Sequence, residues 1–225
     1  FQIRISDLKS IYTSHYGEVQ EGQKVGYDGS VIVTYTTELN ESALFKTGQE
    51  GINNTAQLEY SNAPSTLNDS ETGYSAEGKA TVLTYALKVE NKDADKKKLK
   101  NTKFRLYRDQ ACTQEVKVIE TDKGYLIQEN AESGETIISD HKGNFVIYGL
   151  DAGTYYLKEV EVPEGYVLLN GVIKVNVKSK TSQEDAVLQQ LSASASYVNK
   201  EGDTEALNSP ISRSEERRVG KECRS

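Results

Sequence analysis

Apolar and polar residues alternate along much of this chain, the period expected of strands that bury one face. FQIRI at the start sets Phe1, Ile3 and Ile5 against polar neighbours, and VIVTYT (31–36) and NTAQLEYSN (54–62) read as further strands. In the last of these, Asn54, Ala56, Leu58, Tyr60 and Asn62 share a face. A stretch rich in Ser, Asn, Asp, Glu and Gly (63–78) reads as a loop leading to a domain boundary. Beyond it TVLTYALKVEN aligns Leu83, Tyr85, Leu87, Val89 and Asn91, and TKFRLYRD, GYLIQE, NFVIYGL and VIKVNV follow at strand-like intervals. LSASASYVN closes the series, with Leu191, Ala193, Ala195, Tyr197 and Asn199 on one face. About seven short strands in about 120 residues predict an antiparallel sandwich. No well-capped helix is evident; ELNESALF (38–45) reads as a helical turn or a loop.

The most informative segment is GTYYLKEVEVPEGY (153–166). As a strand it points Tyr155, Leu157 and Glu159 one way and Tyr156, Lys158 and Val160 the other. Pro163 ends it, and Gly165 supports a turn before the next apolar run at Val167. A carboxylate in line with a Tyr and a Leu is costly to bury unless it is protonated, paired or hydrogen-bonded.

Composition narrows the class. The chain has 225 residues, 36% hydrophobic, with 14 Tyr and neither Trp nor Met. Tyr-, Val- and Thr-rich strands with short polar turns suit an all-β surface protein. The net charge of -7 disfavours nucleic acid and anionic membrane as partners. No apolar run reaches membrane-spanning length. A chain without an initiating Met reads as a fragment. Its last stretch, RSEERRVGKECRS (213–225), matches the translation of a sequencing-adapter string and is set aside. That leaves Cys112 without Cys223 as a partner, and no disulfide framework is expected.

Three polar residues fall on predicted inward faces: Asn91 on the first strand of the second unit, Asn199 on the last, and Glu159 between them. Beside a buried acid, an asparagine carboxamide can be attacked by a lysine amine, with burial favouring the neutral amine and the protonated acid. The product is a side-chain amide plus ammonia. The plainer alternative is that Glu159 hydrogen-bonds a loop and Asn199 caps a turn. Other polar residues suggest no chemistry. His15 and His141 stand isolated and read as surface side chains rather than metal ligands. Cys112, in RDQACTQE, has no His or Asp arrangement that would make it a nucleophile. The Lys96–Lys98 run reads as a solvated turn. Asn40, Asn53 and Asn68 fit the glycosylation pattern without further support. Phosphate loops, zinc-ligand spacing and a nucleophile elbow are lacking, so no cofactor and no metal are expected.

KGNFVIYGLDAGTYYLKEVEVPEGY (142–166) resembles the signature of CnaB-type domains of Gram-positive surface proteins. DADKKKLKNTKFRLYRD (93–109) is similar to the opening of that domain and SYVNKEG (196–202) to its last strand. FQIRISDLKSI and NTAQLEYSNAPS resemble the end of the fimbrial isopeptide-forming domain of sortase-assembled major pilins. The resemblance implies tandem immunoglobulin-like antiparallel β-sandwiches, the first incomplete. It places a CnaA-like part at 1–79, a CnaB-type domain at 80–202 and a tail at 203–212. It casts Glu159 as the acid for isopeptide formation and Asn199 as the crosslinking asparagine. The family's donor lysine falls at Asn91, so Lys92 serves only if a β-bulge turns it inward. Asn54, with Asn62 second, matches the crosslinking residue of the first domain, whose partners would lie before Phe1.

The function implied is a shaft subunit of a covalently assembled, cell-wall-anchored extracellular pilus, stiffened by Lys–Asn isopeptide bonds. Such a subunit has sortase and other pilin subunits as partners and is not an enzyme with turnover. The alternative is the stalk or minor-pilin part of an adhesin that binds host ligands.

Overall fold

The computed structural model describes residues 2–5, 32–47, 51–61, 72–93, 95–182 and 188–207, and the backbone of 213–216. His15, Asn62, Asn68 and Cys223 lie outside the described residues. The chain divides into two compact units, Phe1–Glu38 and Leu39–Ser225. In the first unit the expected strands FQIRI and VIVTYT are not formed over the described residues 2–5 and 32–36. Ile3, Ile5, Ile32, Val33 and Tyr35 are exposed there. Alternation makes a strand only where a neighbour completes the ladder, and neither segment has one among the described residues.

The second unit opens with a single helical turn, α1 (Glu41–Leu44), N-capped by Asn40, whose side chain accepts from the Ala43 N–H at 2.9 Å. Next come β1 (Ile52–Ala56), β2 (Glu59–Ser61), β3 (Thr72–Tyr74) and β4 (Gly78–Val82). They form two antiparallel pairs, β1 with β4 and β2 with β3. The expected domain boundary at 79/80 falls inside β4.

The sandwich itself runs from β5 (Tyr85–Asp93) through β6 (Lys103–Tyr107), β7 (Glu115–Val116), β8 (Val118–Thr121), β9 (Gly124–Ile127) and β10 (Ile137–Ile138). It continues with β11 (Asn144–Leu150), β12 (Gly153–Glu161), β13 (Gly171–Thr181), β14 (Leu188–Asn199) and β15 (Thr204–Ala206). One sheet has the order β10-β6-β12-β13-β14-β15, with β7 also on β6. The other runs β5-β11-β9-β8, and Arg213–Glu216 (β16) pairs in parallel with β5 at Glu90–Asp93.

Tyr85, Leu87 and Val89 of β5 pack with Phe145 and Ile147 of β11 in one sheet, and with Phe104, Leu106, Tyr155, Leu157, Ile173 and Val175 of the other, all buried in one core. The Phe104 and Phe145 rings meet across the core with centroids 5.0 Å apart. Leu191, expected on the inner face, is 49% exposed opposite Ser179, while Leu188, past a register shift in the same ladder, packs into the core.

At the end of the core where Leu150 pairs with Tyr85, the Tyr155 hydroxyl donates to the Asp151 carboxylate. Arg108 binds the same carboxylate at 2.9 Å and Glu129 at 2.9 Å, and its guanidinium lies 4.7 Å over the Tyr155 ring. Burial, and then the bond to Asp151, push the Tyr155 phenol well above its ordinary value. A folded-state value raised this way stabilises the protein fully below the unfolded phenol's pKa of about 10, and that stability is lost as pH rises past it.

Two outcomes follow for thermal unfolding. Phe104→Ala should cost about 3–5 kcal/mol through the cavity left at the sheet contact. Tyr155→Phe should be less stable than wild type at neutral pH and should lose less stability between about pH 10 and 12, read from melting curves over that range.

Candidate functional site

β5 alternates without interruption between the core and the outer face, so Tyr85, Leu87, Val89, Asn91 and Asp93 all point inward. Asn91 is fully buried and Asp93 is 2% exposed. The two residues sit at the end of β5, next to the turn that contains residues 95–99. Asn91 N–H donates to Gly143 O at 2.7 Å, and Leu99 N–H donates to Asn91 O at 3.0 Å. Gly143 allows this approach: its φ is +74° and a Cβ there would lie 2.7 Å from the Asn91 carbonyl oxygen. The Asn91 carboxamide nitrogen is 3.5 Å from Leu99 O, at the long limit of a hydrogen bond.

β12 carries Glu159 from the opposite sheet. Tyr155, Leu157 and Glu159 face inward as expected, with exposures of 0, 1 and 4%. Glu159 pairs with Phe104 on one side. On the other side the ladder to β13 ends at Leu157 opposite Ile173. Gly171 of β13 is opposite Asn199 on β14. Asn199 is the last residue of β14, two strands from β12 in the same sheet.

The side chains do not all converge. The Glu159 carboxylate accepts from the Leu169 N–H at 3.0 Å, which is a bond to the loop after its own strand. The Asn199 carboxamide is engaged at its turn, where Nδ2 donates to Asp203 at 3.0 Å and Oδ1 accepts from the Asp203 N–H at 2.8 Å. Lys92 is on the outer face of β5 and pairs with Glu90, while Lys98 approaches Glu90 at 3.9 Å. No bulge turns Lys92 inward; the buried position next to it belongs to Asn91. Asn54 lies opposite Ala80 in the β1–β4 pair, exposed and outside the sandwich.

One contact escaped the sequence reading. The Tyr166 hydroxyl donates to the Asp93 carboxylate at 2.9 Å, and the Lys97 N–H supplies the other Asp93 oxygen at 2.8 Å. Asp93 has the same parity as Asn91, and Tyr166 ends the motif that contains Glu159. Those two positions carried the available signal; their pairing across 73 residues did not appear in it.

The remaining singled-out residues lie apart. His141 is exposed, Lys96–Lys98 form an exposed turn closed by Lys96 N–H to Asp93 O at 2.9 Å, and Asn53 bonds Thr81 at 2.8 Å. Burial pushes the Cys112 thiol up, which keeps it protonated and a poor nucleophile. Among the described residues no cluster of His, Cys, Asp and Glu could hold a metal.

The placement of adjacent residues on opposite faces has a measurable consequence. Asn91→Ala should cost about 1–3 kcal/mol, because it strips a buried polar group from its partners. Lys92→Ala should cost less than about 1 kcal/mol, as expected of a partly exposed ion pair. Equal losses in denaturant titrations would contradict the assigned faces.

Residues 85–190 match the family model of the SpaA prealbumin-like fold domain. The curated proteins give no match. Among solved structures the chain is similar to the T6 backbone pilin of serotype M6 Streptococcus pyogenes, at 17% identity over 77% of this chain and 44% of that one, with a TM-score of 0.43. It is also similar to the group B streptococcus pilus 2b backbone protein, at 22% identity over 68% and 46% with a TM-score of 0.39. A third is the shaft pilin SpaA of Lactobacillus rhamnosus GG, at 19% identity over 64% and 51% with a TM-score of 0.38. The chain spans about half or less of the length of each. The sandwich that buries Glu159 and Asn91, residues 85–190, is thus similar to the SpaA prealbumin-like fold domain.

Proposed function

We propose that this chain is part of the structural shaft subunit of a covalently assembled cell-surface pilus, passing tension through β-sandwich modules in series. The observation that carries the reading is the family match over the whole core of the sandwich, from β5 into β14. A sandwich whose first and last strands lie in different sheets resists tension through whatever ties those sheets together.

The finer part of the proposal concerns such a tie. Glu159 is buried on β12 and Asn199 ends β14 of the same sheet, which supports a reading in which a lysine amine and the asparagine carboxamide form an amide beside the acid. The Lys92 amine would attack the Asn199 side-chain carbonyl carbon, forming the C–N bond. The carboxamide nitrogen leaves as ammonia, and Glu159 carries the proton from the amine to it. Lys92 reaches that position only by leaving Glu90 and slipping β5 by one residue, which would expel Asn91 from its buried place.

Intact mass tests the tie. A protein lighter than its sequence by one ammonia, restored to full mass by Glu159→Ala, supports Lys92 as donor. Full mass in both overturns that assignment. Asn91→Lys puts an amine on the inner face without a slip, and loss of one ammonia from this variant alone would assign the acid and acceptor roles to Glu159 and Asn199. The shaft role is tested separately, on cell-wall extracts of the producing bacterium. A ladder of multimers that survives boiling in detergent is expected, and a single monomer band would count against it.

A further inference from the structure

The segment between β12 and β13, residues 162–170, contains a turn closed by Tyr166 N–H to Pro163 O at 3.2 Å. Its apolar residues give it little anchorage: Val167 is 54% exposed and Leu168 is 43% exposed. On either side of that exposed pair the loop turns inward. Tyr166 reaches across to Asp93 on the opposite sheet, and Leu169 donates its N–H to Glu159 while its side chain packs against the core.

We propose that this loop is a latch between the two sheets, with Tyr166 and Leu169 as its fasteners and the buried carboxylates of Asp93 and Glu159 as its catches. The loop closes the end of the sandwich at which Asn91, Asp93 and Glu159 lie. Each catch is a carboxylate almost wholly removed from water, so each favours the loop conformation that supplies its donor. The two fasteners are three residues apart, too short a span for one to move far while the other holds. Releasing Tyr166 therefore loosens Leu169 and opens a path for solvent, or for an amine, to Glu159. The latch operates whether or not a covalent bond forms, since neither fastener belongs to that chemistry.

Amide hydrogen exchange on the full chain tests the coupling. Tyr166→Phe removes only the hydroxyl. Exchange of the Leu169 amide should then rise about tenfold or more, the scale of a lost hydrogen bond to a charged group. The Asn91 amide, bonded to Gly143 O inside the sheet, should keep its wild-type rate because the opening is local. Asp93→Asn, which keeps an acceptor oxygen, should give a smaller rise at Leu169 than Asp93→Ala. Tyr156→Phe, on the outer face of β12, should change neither amide. An unchanged Leu169 rate in Tyr166→Phe would overturn the latch, and so would a rise matched at Asn91, which would mean a general loss of stability.

Discussion

A carboxylate enclosed between two apolar sheets must be given hydrogen bonds in place of water, and this requirement organises one whole end of the sandwich. Asp93 and Glu159 come from opposite sheets and are both nearly inaccessible. Their donors are a tyrosine hydroxyl, two backbone amides and the turns that present them. The turn after β5 is shaped to deliver Lys97 N–H, and the loop after β12 to deliver Tyr166 and Leu169. Gly143 lets β11 come close enough for the Asn91 backbone to complete its ladder. Were these carboxylates apolar, neither loop would have a reason for its path.

The other end of the core solves a similar problem differently. Asp151 there is partly exposed, and burial alone would raise its pKa. Hydrogen bonds from Tyr155 and Arg108 outweigh that effect and hold it below the ordinary carboxylate range. Positive charge sits beside negative, with the Tyr155 ring beneath the guanidinium. That cluster is a clamp between neighbouring loops. At the Asp93–Glu159 end, Lys92 faces outward to Glu90. At the Asp151 end charge stands beside charge, and at the other end a tyrosine hydroxyl and backbone amides donate to Asp93 and Glu159.

Asn91 is the residue on which the functional reading turns. A carboxamide is small enough to be buried at the end of β5 and can bond the turn around it, but it has no nucleophilic amine. The register of β5 is set by the inward run Tyr85, Leu87 and Val89, and those three apolar side chains hold Asn91 inside. Moving Lys92 into that place would expose all of them, because a slip of one residue reverses every side chain of a strand. The packing of the sandwich and the proposed crosslink therefore compete for one register.

Much of this was legible in the chain alone. Alternation located β5, β6, β9, β11, β12, β13 and β14, and it placed Tyr155, Leu157 and Glu159 on one face, because the period of a strand is a local property. It failed for FQIRI and VIVTYT, whose pattern is equally regular, since a strand also needs a neighbour and the neighbour lies elsewhere in sequence. It also set Leu191 inside, where the side chain is exposed and Leu188, past a register shift, reaches the core instead. By itself the sequence determined which residues share a face. Only the tertiary structure decided that Tyr166 meets Asp93, that Asn199 turns to Asp203 and that Lys92 stays outside, because each depends on where a distant strand or turn supplies a partner.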